Sequence, residues 1–143
     1  METGILMTGL VLLALVFSPI IYIHYQKSRK ERFIKQHFQQ RATALNFVAY
    51  HIDFWNQTYA IGLDESRSHL LYLKVSGKTI TEEHIALSKS HQAILIKTNK
   101  AVEIVLQHKT GTKTVLEFGE SNGLETMDEE IALAEKWVSL LHL

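Results

Sequence analysis

The sequence predicts an α+β protein: an N-terminal transmembrane helix and helical stalk, then an antiparallel β-barrel or sheet capped by a C-terminal α-helix. Three observations carry this expectation. Residues 5–23, ILMTGLVLLALVFSPIIYI, are uncharged and mostly apolar. Between Pro19 and Gly62 the chain has neither proline nor glycine, and apolar residues recur there at helical spacing. From Trp55 the apolar period shortens to two, with regular turn signals, before a helical period returns near the C-terminus. The expected boundaries are 1–26 for the anchor, 27–52 for the stalk and 53–143 for the folded domain.

At about 1.5 Å per helical residue, the apolar run is just long enough to cross a hydrocarbon core of about 30 Å. The chain starts Met1-Glu2 without a basic stretch, and no A-x-A site follows, so the run reads as a retained anchor rather than a cleaved signal. Lys27, Arg29, Lys30, Arg32, Lys35 and Arg41 all lie beyond it. That asymmetry places the positive flank in the cytoplasm and the amino terminus outside. The expectation is a single-pass protein of the inner (cytoplasmic) membrane, in contact with lipid through its anchor.

In the stalk, Ile34, Phe38, Ala42, Leu45, Ala49 and Ile52 share one helical face. The stripe can pack on its own domain, pair with a second copy or lie on lipid. Packing on the domain is the ordinary role of such a face. Further on, Tyr59, Ile61 and Leu63 alternate up to the turn Asp64-Glu65-Ser66-Arg67. Leu71, Leu73 and Val75 follow on one face, with Leu70 and Tyr72 on the other, up to Ser76-Gly77-Lys78. Ile85 and Leu87, Ile94 and Ile96, then Val102, Ile104 and Leu106 continue an antiparallel meander, which Val115 to Phe118 closes. After Ser121-Asn122-Gly123, Thr126 and Glu129 have the spacing of a helix capping box. Met127, Ile131, Ala134, Val138 and Leu141 form a stripe that Leu133, Trp137 and Leu140 widen, and Trp137 is its largest structural plug.

This order of elements resembles the pleckstrin-homology-like (PH-like) fold over roughly residues 52–143, and in particular the small bacterial membrane-anchored PH-like proteins. The segments that carry the resemblance are YAIGLDESRSHLLYL, residues 59–73, and ALAEKWVSLL, residues 132–141. The resemblance implies a binding or assembly module rather than an enzyme. Lipid-binding members of the family use basic residues around the first hairpin, whereas the corresponding turn here carries Asp64 and Glu65 beside Arg67.

Residues 24–41 hold six Lys/Arg and one Glu, a net +5, while residues 42–143 hold nine Lys/Arg and thirteen Asp/Glu, a net −4. A mildly acidic domain lacks the clustered positive charge a nucleic-acid face needs. Without cysteine, disulfides, zinc thiolates and thiol nucleophiles are excluded. His51, His69, His84, His91 and His108 fall near the strands, but a metal site needs imidazoles converging on one point, and His84 and His91 are an odd number of positions apart. Asp53, Asp64, Glu65 and Glu117 fit turn or outward strand positions, and no nucleophile elbow, phosphate loop or dinucleotide fingerprint is present. Gly111-Thr112-Lys113-Thr114 reads as a hairpin turn.

The expected function is therefore a non-enzymatic, membrane-tethered cytoplasmic interaction or scaffold module without a cofactor, acting through a protein partner or self-association. Phe38, Leu45, Trp55 and Tyr59 are the candidate contact residues. The alternatives are an accessory subunit of a larger inner-membrane complex, or a small membrane-bound hydrolase using carboxylates and histidines.

Overall fold

The computed structural model describes residues 2–121 and 126–141. Helix α1, Glu2–Ala44, is unbroken for 43 residues, about 65 Å of axis. Pro19 sits inside it, removing one backbone donor without ending the helix. The first part is long and apolar enough to cross a membrane, and none of its most apolar window is buried in the protein. Thr8 donates its hydroxyl to the Gly4 carbonyl at 2.7 Å, an internal partner for a polar group within an apolar run.

The stalk was expected to stay helical to Ile52, but the helix ends at Ala44. Asn46 adopts a left-handed conformation, φ 52°. The Phe47 N–H then bonds the Ala42 carbonyl at 2.8 Å, and the Asn46 N–H bonds that of Thr43 at 3.2 Å. This is a Schellman stop with asparagine in the place glycine usually takes. Phe47 and Ala42 are buried together beside it, the apolar contact that accompanies the motif. Leu45 consequently lies in the turn, while Ala49 and Ile52 belong to the first strand.

That strand, β1 (Ala49–Trp55), is followed by β2 (Tyr59–Asp64), β3 (His69–Ser76) and β4 (Thr79–Ala86), all antiparallel in sequence order. A short 3₁₀ turn, Leu87–Lys89, leads to a second antiparallel sheet of β5 (Ser90–Lys97), β6 (Ala101–His108) and β7 (Lys113–Glu120). The two sheets are not hydrogen-bonded to each other, so the described residues form no closed barrel. Helix α2, Asp128–Leu140, packs on all three strands of the second sheet.

The expected capping box does not form. Met127, not Thr126, occupies the N-cap position and no side chain caps the helix. Met127 packs on the core, and starting the helix there puts Glu129 one position too early to complete the box. Asp128, Glu129 and Glu130 still suit the positive helix end. The Asn122 and Gly123 positions of the turn before α2, like Leu143 at the end of the chain, lie outside the described residues.

Two cores result. The inner one joins both sheets and α2 through Ile61, Leu63, Leu70, Tyr72, Ile104, Leu106, Phe118 and Trp137, among others. The outer one joins α1 to the opposite face of the first sheet through Ile34, Phe38, Ala42, Phe47, Ala60, Leu71 and Leu73. Strands β2 and β3 are therefore buried on both faces, which is why Leu70-Leu71-Tyr72-Leu73 is a continuous apolar run rather than an alternation. The stalk stripe packs on its own domain. Gly62 makes the closest approach possible, since a Cβ there would come within 2.5 Å of Phe38 Cζ. Arg41 pairs with Glu82 on β4, which raises the guanidinium pKa through the hydrogen bond and the charge, and Lys35 sits 5.7 Å from the Phe54 ring centroid.

Candidate functional site

Docking of the stalk on the first sheet brings the basic flank of α1 beside two hairpin tips. The β1–β2 tip contains Asn56 and Gln57, both left-handed at φ 49° and 60°, and the β3–β4 tip contains Gly77 at φ 61°. A left-handed glutamine is uncommon, and the Asn56 amide steadies this turn by donating to Glu130 Oε1 at 3.0 Å. A cleft of about 520 Å³ lies between Gln26, Arg29, Lys30 and Phe33 of the helix and Gln57, Thr58, Val75 and Gly77 of the tips. A second, of about 380 Å³, mixes Lys27 and Lys35 with Glu31 and Glu129. Lys27, Arg29, Lys30 and Arg32 are exposed, and none has an ion-pair partner among the described residues. The flank thus divides into free cations near the apolar segment and anchoring cations, Lys35 and Arg41, farther along.

The four candidate contact residues do not form one surface. Phe38 and Tyr59 are 2% and 6% exposed, because the outer and inner cores respectively already cover their apolar surface. As partner contacts both are corrected. Leu45 is half-buried against the outer core. Trp55 is partly covered, its ring stacked 5.1 Å from Tyr59 and 4.8 Å from Phe118, and its indole N–H donates to the Phe118 carbonyl at 2.7 Å.

Two carboxylates read as ordinary surface groups instead tie elements together. Asp53 Oδ2 accepts from Trp137 Nε1 at 2.8 Å and from Lys136 Nζ at 2.9 Å, linking β1 to α2. Glu117 on β7 accepts from the Tyr59 hydroxyl at 2.8 Å and pairs with Lys74, while the Tyr72 hydroxyl donates to the Glu117 carbonyl at 2.6 Å. Sequence spacing carries no sign of these pairs, which join residues 43 to 84 positions apart. The one available signal is chemical: a buried tryptophan or tyrosine needs a partner for its polar atom.

Burial first, then the Glu117 carboxylate, raises the Tyr59 pKa, and burial chiefly raises that of Tyr72. Both phenols stay neutral in the folded protein at pH values where the unfolded chain, with tyrosine pKa about 10, releases its protons. Their contribution is complete below about pH 10 and is lost as pH rises beyond it. In urea titrations between about pH 8 and about pH 11, the midpoint of a Tyr59→Phe/Tyr72→Phe protein should fall less steeply than that of the wild type. Parallel declines would show that the lysines alone govern the alkaline limb.

At the far end of the first sheet, Asp64 organises the β2–β3 turn. It accepts from the backbone N–H groups of Ser68 at 2.8 Å and His69 at 3.0 Å, and from the Ser66 hydroxyl at 2.9 Å. Burial pushes its carboxyl pKa up, but these hydrogen bonds together outweigh that and hold it below the ordinary value. His69 Nδ1 lies 2.9 Å from Ser68 Oγ and 3.3 Å from Asp64 Oδ2, and the His69 ring stacks on His84 at 5.5 Å. One ring nitrogen faces both partners, so this is a turn clasp and not a relay from acid through base to nucleophile. Among the described residues no three His, Asp or Glu side chains converge to hold a metal ion. The His91 side chain lies outside what is described.

Comparison with family models, curated proteins and solved structures finds no match. Function must therefore be argued from the geometry alone. The end of the domain nearest the apolar segment of α1, where free cations meet two hairpin tips, is the candidate site that geometry offers.

Proposed function

We propose that this chain is a bacterial, single-pass inner-membrane protein whose cytoplasmic PH-like domain binds another protein and catalyses no reaction. The observation that carries the reading is the unbroken α1. It runs from the apolar segment into the outer core, and Ile23 and Ile34 are separated by about 16 Å of helix. A domain so mounted has its height and orientation relative to the bilayer set by the helix. Confinement of that kind raises the effective concentration of a matching surface on a membrane-bound partner. The PH-like assignment is supported by the four-plus-three strand arrangement and by α2 with its buried Trp137.

The orientation rests on the basic flank from Lys27 to Arg41. A reporter that matures only in the cytoplasm should be active when fused after Leu143. Activity of a periplasm-dependent reporter at the same junction would reverse the topology and remove every cytoplasmic partner. For the function itself, purification of the full chain in mild detergent followed by mass spectrometry should yield a stoichiometric protein partner. Isolation without a partner, together with turnover of a metabolite panel, would replace the binding module with an enzyme.

A further inference from the structure

We propose that two copies of this chain pair in parallel through the face of α1 that points away from the domain, from Gly4 to Gln40. The proposal rests on the membrane-anchored reading of α1. Ile34, Phe38 and Ala42, which pack on the first sheet, mark one side of the helix. At about 100° per residue, the exposed Gln36 and Gln40 stand about 160° from Phe38, on the far side. Followed back along the axis, that far side meets Arg29 and Gln26, then Tyr22, Ser18, Thr8 and Gly4, all within a sector of about 80°. Thr8, Ser18 and Tyr22 are the three hydroxyl side chains of residues 5–23. The polar side of the apolar segment and the domain-free side of the stalk are therefore one continuous face.

Three features make a second copy the occupant. The first is self-complementarity. Hydrocarbon offers a hydroxyl no partner, and Ser18 makes no side-chain hydrogen bond among the described residues, while Tyr22 only accepts one, from Gln26 at 2.7 Å. In a parallel pair each of these groups meets its own counterpart at the same depth, and a hydroxyl both donates and accepts. The second is symmetry. A two-fold axis along the bilayer normal brings both anchors into one bilayer from the same side and leaves the two domains on opposite flanks of the helix pair. The third is area. From Gly4 to Gln40 the face is about 54 Å long, and at about 10 Å wide it buries about 1,100 Å² in the pair, enough for a specific interface, which needs about 1,000 Å². Arg29 opposes its counterpart at a cost, but it stands six residues beyond Ile23, about 9 Å along the axis, where water and salt screen the repulsion.

The chain has no cysteine, so single substitutions report contact between copies without background. The test places the full chain in phosphatidylcholine vesicles at low protein density and oxidises it with copper phenanthroline. Val11→Cys, Tyr25→Cys and Gln36→Cys, on the proposed face, should form disulfide-linked dimers about tenfold more readily than Leu13→Cys, Ile20→Cys and Lys35→Cys, on the domain side. Adding Ser18→Leu/Tyr22→Phe should weaken the Gln36→Cys crosslink by about three- to tenfold, the scale of one or two hydrogen bonds between membrane helices. Gly9→Leu, on the opposite side of the helix, should preserve it. Equal crosslinking on both sides would reduce the contact to random collision and overturn the proposal. No dimer at any position would overturn it and leave the face to lipid or to a helix of another protein. Resistance of the chain to alkaline carbonate extraction tests the anchor separately: retention without face-specific crosslinks rejects the pairing alone, and release rejects both.

Discussion

Trp137→Ala is expected to lower the unfolding free energy of the domain by about 3 to 5 kcal/mol, the usual range for removing a large aromatic from a core. Trp137 is fully buried where α2 meets both sheets, and its indole N–H donates to Asp53 Oδ2. The substitution therefore leaves a cavity and also removes one partner of a carboxylate that holds β1 to α2. Since a domain of this size has about 5 to 15 kcal/mol in total, the variant should unfold at a much lower denaturant midpoint or fail to accumulate. Trp55→Ala should cost less, because Trp55 is only partly covered and the Tyr59 and Phe118 rings it stacks on have other neighbours. Near-zero losses at both positions would mean that α2 is not the lid of the inner core.

Phe38→Ala should be comparably severe, at about 3 to 5 kcal/mol, but through the other core. The Phe38 ring lies edge-on to Phe47 and Phe54, with centroids 6.4 Å and 5.7 Å away, and rests on Gly62. Approached from the strand side, Gly62→Ala should cost about 1 to 3 kcal/mol, because the ring it would strike is wedged among buried neighbours and has little room to withdraw. Shrinking the ring should recover part of that loss: Phe38→Leu/Gly62→Ala is expected to be more stable than the sum of its two single changes implies. Strict additivity in denaturant titrations would show that the two residues do not meet. Loss of docking should also free the segment from Lys27 to Ala44, seen as faster amide exchange there while the inner core stays protected.

Much of the strand pattern was legible because its signals are local. Alternating apolar residues and the turns at Asp64–Arg67, Ser76–Lys78 and Gly111–Thr114 place β2 to β7 close to where they lie. β1 was missed for a specific reason. Ala49 and Ile52 continue the helical stripe of Ile34, Phe38 and Ala42 by spacing alone, so periodicity favoured more helix. The stop at Asn46 is written in a residue that does many other things, and only the paired bonds from Asn46 and Phe47 identify it. Met127 misplaced the α2 start likewise, since its pull into the core outweighed a capping motif with the right letters.

The candidate site was half legible. Composition and order alone place the cations from Lys27 to Arg41 on one side of the apolar run, because charge asymmetry beside such a run is a one-dimensional property. Which of them remain free was settled in three dimensions: Glu82 and the Phe54 ring engage Arg41 and Lys35, and the hairpin tips turn Arg29 and Lys30 into the wall of a cleft. The sequence by itself determined that a long apolar helix precedes a sheet-rich domain closed by an amphipathic helix, since apolar period and length need no partner to be read. Only the tertiary structure decided that the stalk is a layer of that domain, that the seven strands among the described residues divide four and three, and that Asp53 and Glu117 join elements. Those facts depend on contacts between residues far apart in the chain, whose energies come from mutual burial and pairing and leave no local periodicity to read.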